Sequence, residues 1–374
     1  MINVLADQYL YNISAYLPPK VNVSLYDPAE GLPDLSNADG LLVRTVNPIN
    51  AETIPDIPDC LSFIGTGSSG TDHVDQPYLR ANNIAFADAA GCNALSVAEY
   101  VAVGLLLWAE QTESELQQLK VGIAGKGYAG TEVNKLLTSL GLTTTCYDPP
   151  KEEREASFRS ASKEQLLASD ILTFHTPLTT SGPYPTYHWL DEEVLADYSF
   201  QLVINAARGG VVDEQALLEA SKNGTVNHFM LDVWEDEPYI RKRSAANAFL
   251  RTPHIAGYSV QAKEKASKFV ADALLNHFGL ERASGPARPD PKIITNSADH
   301  YNSLSDLLTV LHPIRTYQQK LARIINEHWD DRGPRFNTLR ATYPLRQEFN
   351  NIQLPQSYTD RFPVLEKLGF HLVG

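Results

Sequence analysis

The stretch KVGIAGKGYAG, residues 120–130, joins a short apolar run to glycines at the spacing G-x-G-x-x-G. The run predicts a β-strand before Gly125, and the segment after Gly130 predicts a helix. At such a junction the first glycine permits the turn, the second lets the backbone approach a pyrophosphate, and the third allows close helix packing. The free N–H groups at the helix start attract an anion. We therefore expect a dinucleotide to bind at Gly125, Gly127 and Gly130.

An acidic residue ends the next apolar run, residues 143–147. Asp148 lies 18 residues after Gly130. A carboxylate at this position accepts hydrogen bonds from both ribose hydroxyls of NAD and repels the 2′-phosphate of NADP. NAD is therefore the favoured cofactor. The alternative is that Asp148 is only a turn residue before two prolines.

Similar apolar runs and turns continue on both sides of this unit, which predicts an α/β protein with doubly wound parallel sheets. The spacing of Ser96 and Glu99 is that of a capping box, so a long buried helix is predicted to begin there. A helix over 257–280 is expected to return to the N-terminal lobe. Further strands are predicted at 3–6, 40–43, 62–64, 171–174, 202–205 and 229–231.

A proline- and glycine-rich stretch at 282–291 predicts a linker, because these residues do not continue a helix. Beyond it, apolar residues at helical spacing predict two amphipathic helices, one on each side of Pro313. The expected domains are a substrate lobe at 1–95 plus 257–285, an NAD-binding Rossmann domain at 96–256, and a small α+β C-terminal domain at 286–374.

Composition narrows the class of function. The chain of 374 residues is 43% apolar and has a net charge of −14, which opposes non-specific binding to nucleic acid or anionic lipid. Cys60, Cys92 and Cys146 are odd in number and lack metal-type spacing, so neither a disulfide framework nor a metal site is predicted. With no basic leader and no long apolar run, we expect a cytoplasmic enzyme that acts on a small molecule, with no nucleic-acid or membrane partner.

Three residues downstream are candidates for chemistry. Arg208 follows the predicted strand at 202–205, where ligands of open α/β sheets bind. Its guanidinium can hold a carboxylate through two parallel hydrogen bonds. Glu237 lies in an acid-rich loop, and His254 follows a proline. Taken singly, each has an ordinary explanation: a structural ion pair for the arginine, solvation for the acid and packing for the histidine.

Several segments carry a resemblance to a known family. They are GTGSSGTDHVD at 65–75, AGCN at 90–93, CYDPP at 146–150 and LTFHTPL at 172–178. Together with the three candidate residues, they resemble the D-isomer-specific 2-hydroxyacid dehydrogenases over essentially the whole chain. The tail around 336–349 is similar to a C-terminal dimerisation domain, and the substrate lobe of such enzymes is flavodoxin-like. The pattern departs from the family at Ala207, where cysteine is usual, and at Asn337, where aspartate is usual.

The resemblance implies a role for each site residue. It makes His254 the acid/base, Glu237 its carboxylate partner and Arg208 the substrate anchor. Implied cofactor contacts are Tyr128, Ala129, Asp148, Thr176, Ala206, Ala207, Arg208, Asp232 and Gly257, and implied substrate contacts are Thr45, Thr66 and Tyr258. We add Arg44, beside Thr45, as a contact for a substrate phosphate, with Arg346 of the tail as a second candidate.

The resemblance implies NAD-dependent oxidation of 4-phospho-D-erythronate to (R)-3-hydroxy-2-oxo-4-phosphooxybutanoate by a homodimer, in pyridoxal 5′-phosphate biosynthesis. Two alternatives stay open: another D-2-hydroxyacid dehydrogenase, such as one acting on 3-phosphoglycerate, and a non-catalytic, NAD-sensing protein like the corepressors of this fold. A formate dehydrogenase is disfavoured, since glutamine is expected there in place of Glu237.

Overall fold

The computed structural model describes residues 1–283, 285–286 and 290–373. Part of the predicted linker, Ser284 and residues 287–289, therefore lies outside the described residues. The strands are β1 (Ile2–Asp7), β2 (Val21–Tyr26), β3 (Gly40–Val43), β4 (Phe63–Thr66), β5 (Ala85–Ala87), β6 (Lys120–Ala124), β7 (Thr143–Tyr147), β8 (Ile171–Phe174), β9 (Phe200–Asn205), β10 (Val226–Leu231), β11 (Leu250–Arg251), β12 (Lys292–Ile293), β13 (Ile352–Pro355) and β14 (His371–Val373). The α-helices are α1 (Gln76–Ala81), α2 (Ala94–Thr112), α3 (Tyr128–Ser139), α4 (Pro149–Arg154), α5 (Lys163–Leu167), α6 (Glu192–Asp197), α7 (Glu214–Asn223), α8 (Lys242–Asn247), α9 (Val260–His277), α10 (Leu304–Leu311), α11 (Ile314–Ile324), α12 (Trp329–Ala341), α13 (Gln356–Arg361) and α14 (Val364–Lys367).

The first of two compact units comprises Met1–Asn93 and Val260–Asp290. Its sheet is parallel throughout, with the strand order β2-β1-β3-β4-β5 that flavodoxin-like folds share. Helix α9 comes from the distant part of the sequence and buries Val270 and Leu274 in the core of this unit. The unit is therefore discontinuous along the chain.

The second unit comprises Ala94–Ser259 and Pro291–Gly374. Its main sheet is a parallel, doubly wound one with the order β11-β10-β9-β8-β6-β7, as the sequence predicts. The central strand β8 is buried at all four residues, because helices cover both faces of such a sheet. This explains its continuous apolar pattern.

The capping box predicted at the start of α2 is wrong. The helix begins at Ala94, so Ser96 and Glu99 lie inside it, and both are buried. Ser96 Oγ lies 2.8 Å from Ser259 Oγ and 2.9 Å from Glu348 Oε1. The side chains that suggested a cap instead bind partners that are remote in sequence.

The two predicted amphipathic helices of the tail are confirmed as α10 and α11, which flank Pro313. The buried leucines of α10 belong to the same hydrophobic core as Tyr100 and Val101 of α2. A short parallel sheet, β12-β13-β14, lies in the same segment. Residues 291–373 thus pack within the second unit, whereas a separate domain at 286–374 is expected from the sequence.

Across the described residues, no helix has both the length and the apolar character needed to cross a bilayer.

Candidate active site

The site residues of the second unit all follow the carboxyl ends of neighbouring parallel strands. Because such strands run in the same direction, these ends lie on one edge of the sheet, where ligands of open α/β sheets bind. The residues are Gly125, Gly127, Tyr128, Ala129 and Gly130 after β6, Asp148 after β7, Thr176 after β8, Ala206, Ala207 and Arg208 after β9, Asp232 and Glu237 after β10, and His254, Gly257 and Tyr258 after β11.

The three glycines of the turn differ in what a side chain at each position would meet. Gly125 has a φ of +92°, and a Cβ there would lie 2.6 Å from the carbonyl oxygen of His175. A Cβ on Gly130 would lie 1.9 Å from the carbonyl oxygen of Gly125. Gly127, the N-cap of α3, would meet nothing within 4 Å. Two glycines therefore build the turn, and the third leaves open space at a helix N-terminus.

Thr176 adds a second indication of a ligand at this turn. Its Oγ1 atom is buried and has no hydrogen-bond partner among the residues the structure describes. Its Cγ2 atom lies 3.0 Å from the Cβ position built on Gly125. A buried hydroxyl without a partner is costly, so a polar group of a bound molecule is the natural partner. The open glycine and this hydroxyl both fit a dinucleotide.

Asp148 holds the turn and caps a helix. Its Oδ2 atom accepts a hydrogen bond from the Lys126 backbone N–H at 2.7 Å, and its Oδ1 atom accepts one from the Lys151 backbone N–H at 2.9 Å. The turn role that the sequence left open is therefore real. Each oxygen retains a further lone pair, so ribose binding by Asp148 stays a prediction.

The loop that carries Arg208 is fixed from two sides. Asn205 at the end of β9 accepts a hydrogen bond from the Ala207 backbone N–H at 3.1 Å and donates one to the Arg208 carbonyl at 2.9 Å. A Cβ on Gly209 would lie 1.8 Å from the Trp234 carbonyl oxygen, so only glycine allows this approach. The Arg208 loop is thereby packed against the loop that leads to the acidic candidate.

Asp232 is almost fully buried, with 1% exposure. Its carboxylate accepts hydrogen bonds from Thr252 Oγ1 at 2.6 Å and from the backbone N–H groups of Ile255 at 2.8 Å and Ala256 at 2.9 Å. Burial raises the pKa of Asp232, while the nearby His254 and these hydrogen bonds oppose the rise. The structure thus gives Asp232 the task of shaping the His254 loop, and its predicted cofactor contact stays a prediction.

The central pair of the site is His254 and Glu237. His254 Nδ1 lies 2.8 Å from Glu237 Oε2, and Glu237 Oε1 accepts a hydrogen bond from the Trp234 backbone N–H at 2.9 Å. Burial opposes ionisation of Glu237, but the charges of His254 and Arg340 and these hydrogen bonds hold its pKa below the ordinary value. An ionised Glu237 requires the proton of a neutral imidazole to be on Nδ1, which leaves the Nε2 lone pair to accept a proton.

The predicted contacts in the first unit lie at the carboxyl ends of β3 and β4. Arg44 Nε lies 2.9 Å from Asp7 Oδ2, and Thr66 Oγ1 lies 3.0 Å from His73 Nε2. Thr45 is exposed. Substrate contacts by Arg44, Thr45 and Thr66 stay predictions.

The phosphate role considered for Arg346 is wrong. Its side chain is only 3% exposed and forms an ion pair with Glu99 of α2. It also donates hydrogen bonds to the Ser96 and Gln347 carbonyls, at 3.2 and 3.0 Å. The guanidinium is committed to the interior of the second unit.

The structure also brings together His188, Asp213 and Glu235, side chains of the kind that can bind a metal ion, which were not predicted from the sequence. His188 Nε2 lies 2.7 Å from Glu235 Oε1, and His188 Nδ1 lies 3.4 Å from Asp213 Oδ2. Arg241 Nη1 also lies 2.8 Å from Glu235. These side chains pair with one another, and the positive charge of Arg241 opposes the binding of a cation.

Comparison with known proteins shows the family of this chain. The family model described as D-isomer specific 2-hydroxyacid dehydrogenase, NAD binding domain, matches residues 103–256. Erythronate-4-phosphate dehydrogenase of Yersinia enterocolitica is 35% identical over 343 residues, which cover 90% of each chain. The chain belongs to the erythronate-4-phosphate dehydrogenase family. The family member of Escherichia coli O6:K15:H31 is also 35% identical, over 347 residues that cover 91% of this chain and 90% of the relative.

Solved structures show the same fold. D-lactate dehydrogenase from Aquifex aeolicus, complexed with NAD and lactic acid, matches with a TM-score of 0.58 and 23% identity, covering 76% of this chain and 100% of the other. A glyoxylate reductase from Paecilomyes thermophila matches with a TM-score of 0.61 and 20% identity, covering 76% and 98%. The chain shares its fold with these enzymes, and its residues 103–256 match the NAD binding domain of the family model.

Proposed function

We propose that the protein oxidises the C2 hydroxyl of 4-phospho-D-erythronate to give (R)-3-hydroxy-2-oxo-4-phosphooxybutanoate, with NAD as the oxidant, in pyridoxal 5′-phosphate biosynthesis. Similarity to erythronate-4-phosphate dehydrogenases over about nine tenths of the chain supports the substrate. The observation that carries the chemistry is the hydrogen bond of 2.8 Å between His254 and Glu237.

His254 is the proposed proton acceptor. Oxidation of a secondary alcohol requires the hydroxyl proton to leave as the C2 hydride leaves, and a positioned imidazole is the commonest general base for such a step. Nδ1 is held by Glu237, so Nε2 takes the proton. The imidazolium that results is stabilised by the adjacent carboxylate, whose depressed pKa keeps it ionised.

Arg208 is the proposed anchor for the substrate carboxylate. A guanidinium binds a carboxylate through two parallel hydrogen bonds, which also fixes the orientation of C2. Its positive charge additionally stabilises the oxygen that becomes the ketone. The close packing of Gly209 against Trp234 fixes the position of the Arg208 loop relative to the loop that carries Glu237.

NAD, when bound, accepts the hydride from C2. The glycine turn, Thr176 and the N-terminus of α3 would hold its pyrophosphate, and Asp148 would hold the adenosine ribose. Backbone groups of Ala206, Ala207 and Gly257 complete the proposed contacts on the same sheet edge.

We also propose that the enzyme is a cytoplasmic homodimer that assembles through residues of the C-terminal segment. The three cysteines are free thiols, in agreement with a reducing compartment. The tail places exposed apolar side chains on the surface, among them Ile293 at 60% and Val310 at 59% exposure. Exposed apolar surface is typical of protein contacts.

The test is steady-state NADH formation by the purified protein with 4-phospho-D-erythronate, 3-phospho-D-glycerate and D-lactate in parallel. The highest kcat/KM is expected for 4-phospho-D-erythronate. A preference for either other acid would replace the substrate assignment. Folded protein that binds NAD but turns over none of the three acids would indicate the NAD-sensing alternative.

A further inference from the structure

The phosphate of the proposed substrate carries nearly two negative charges and needs cationic partners. Arg346 is excluded by its buried pair with Glu99. Arg44 shares its charge with Asp7, whose Oδ2 atom is 2.9 Å from Arg44 Nε. A third arginine, Arg340, lies beside Tyr258 in the second unit.

Arg340 occupies the last turn of α12. Its Nε–H donates a hydrogen bond of 3.0 Å to Tyr258 Oη, and its guanidinium carbon lies 5.8 Å from the centroid of the Tyr258 ring. The residue is half-buried. Within the described part of the chain, no carboxylate lies within ion-pair distance of Arg340, and Tyr258 is the one acceptor of its hydrogen bonds. Nη1 and Nη2 are therefore left to bind another anion.

The helix that carries Arg340 is anchored on the Glu237 loop. Trp329, at the start of α12, stacks on Tyr239 with ring centroids 5.6 Å apart. A Cβ on Gly333 would lie 2.6 Å from the Tyr239 ring, so glycine is needed for this close approach. Phe336 is buried in the core of the same unit. Arg340 is thus held in place before any ligand arrives, which lowers the entropic cost of binding one.

The surroundings keep Arg340 charged. Burial opposes its ionisation, but the neighbouring Tyr258 and Glu237 raise its pKa above the ordinary value. Glu237 is the partner of His254, and Tyr258 lies four residues after His254 in the same loop. The guanidinium therefore belongs to the surroundings of the reacting centre, although it comes from the C-terminal segment.

We propose that Arg340 binds the phosphate of the substrate through Nη1 and Nη2 and thereby determines the preference for phosphorylated over unphosphorylated 2-hydroxy acids. This role rests on the proposed function, because it presupposes a phosphorylated substrate at the His254 site. Arginine suits it, since the planar fork offers two parallel donors to phosphate oxygens. Tyr258 then has two tasks, as a substrate contact and as the group that orients Arg340.

The experiment compares 4-phospho-D-erythronate with D-erythronate in the wild type, Arg340→Ala and Arg340→Gln. Removing a charge-assisted contact to the phosphate is expected to raise KM for the phosphorylated acid about 30- to 1000-fold. Loss of the Arg340 charge also disfavours ionisation of Glu237 and lowers turnover of both acids alike, so the phosphate contact is measured as the ratio of kcat/KM for 4-phospho-D-erythronate to that for D-erythronate, which should fall at least about 30-fold in both variants. Arg340→Gln keeps an N–H donor and much of the side-chain volume, so it isolates the charge if Arg340→Ala is unstable.

Arg335→Ala is the matched control. Arg335 lies on the same helix with a side chain 63% exposed, paired with Glu327 at 2.9 Å, so its loss should leave both substrates unaffected. Equal losses on both acids, or a fall in kcat alone, would overturn the phosphate role and make Arg340 a support for Tyr258. Failure of the wild type to oxidise the phosphorylated acid would refute the proposed function itself. The wild-type measurement therefore distinguishes this failure from a failure of the Arg340 proposal.

Discussion

At His254 the backbone and the side chain are fixed by different partners. The residue has a φ of 57°, a left-handed conformation that non-glycine residues seldom adopt and that costs free energy. Its backbone N–H donates a hydrogen bond of 2.7 Å to the Asp232 carbonyl oxygen, and Asp232 also holds the next two residues. Glu237 holds the ring. The buried aspartate therefore positions the base without touching the imidazole nitrogens.

The first prediction concerns the base. His254→Ala is expected to lower kcat about 10²- to 10⁴-fold, because general-base catalysis contributes this much, while the Kd for NAD stays unchanged. Steady-state kinetics and fluorescence titration with NADH measure the two quantities. Glu237→Gln, which preserves the hydrogen bond but not the charge, should give a smaller loss. Near-normal turnover by folded His254→Ala would remove the histidine from the mechanism.

A second prediction concerns cofactor choice. Asp148→Ser removes the charge that repels the 2′-phosphate, so the ratio of kcat/KM for NAD to that for NADP should fall by about ten-fold or more. The same change removes the acceptor for the Lys126 backbone N–H, so weaker NAD binding is also expected. Asp148→Asn, which retains an acceptor oxygen, separates the two effects. Equal use of NAD and NADP by the wild type would show that Asp148 does not select the cofactor.

At this scale the sequence predicted the residues whose chemistry is local and missed those whose partners are remote. His254, Glu237 and Arg208 stand in short motifs. Asn205 and Arg340 stand in no such motif. Asn205 bonds to the Arg208 carbonyl, and Arg340 contacts Tyr258, which is remote in sequence and is brought near by folding. Asp232 was expected as a cofactor contact, and its support of the His254 loop depends on Thr252, 20 residues away.

Among the elements, the turn between β6 and α3 allows a test that separates folding from binding. A Cβ on Gly130 would overlap the Gly125 carbonyl oxygen at 1.9 Å, so Gly130→Ala must displace the helix. We expect it to lower the free energy of unfolding by about 2–4 kcal/mol and to weaken NAD binding as a consequence. Gly127→Ala fills open space at a φ of −68°, which any residue adopts.

Comparing Gly130→Ala with Gly127→Ala separates an effect on folding from an effect on NAD binding. Gly127→Ala should leave the unfolding free energy within about 0.5 kcal/mol of the wild type, yet raise the Kd for NAD at least about ten-fold, because the methyl group occupies the approach of the pyrophosphate. Urea unfolding and NAD titration measure both variants. If Gly127→Ala binds NAD as tightly as the wild type, the pyrophosphate does not approach the backbone at this residue.

Helix prediction from sequence succeeded where a single apolar stripe dominates and failed where the tertiary environment overrides local preference. The stripes of α10 and α11 gave correct positions on both sides of Pro313. The helix α12 was missed, since Gly333 and Pro334 in its interior disfavour a helix. The absence of a side chain at Gly333 allows its close packing on Tyr239.

Across the whole molecule, the C-terminal segment is joined to α2 by a buried ion pair. Glu99 Oε2 pairs with Arg346, and Glu99 Oε1 accepts a hydrogen bond from the Phe349 backbone N–H at 2.7 Å. These partners are about 250 residues apart in sequence. No local pattern reveals such a pair, which is why the sequence treats the tail as a separate domain.

The prediction at this scale is a double-mutant cycle. Glu99→Leu alone should cost about 3–5 kcal/mol of unfolding free energy, because it removes the carboxylate that pairs with the buried Arg346. Arg346→Met alone should cost less, because burial already raises the pKa of Glu99 to about 7 and the carboxyl takes up a proton when the arginine is lost. The double variant should cost less than the sum of the single losses by at least about 1 kcal/mol, since both charges are then absent. Urea unfolding at pH 7 measures all four proteins. Additive losses would mean that the two charges do not stabilise each other.

The discontinuity of the first unit has a consequence during synthesis on the ribosome. Its five strands are complete at residue 87, but α9, whose Val270 and Leu274 are fully buried, begins only at Val260. At about 5–20 residues per second, the intervening chain takes on the order of ten seconds or more to translate. During that interval the nascent sheet exposes the apolar surface that α9 will cover. Newly made chains should therefore recruit chaperones early, and messages truncated before codon 260 should yield products that aggregate.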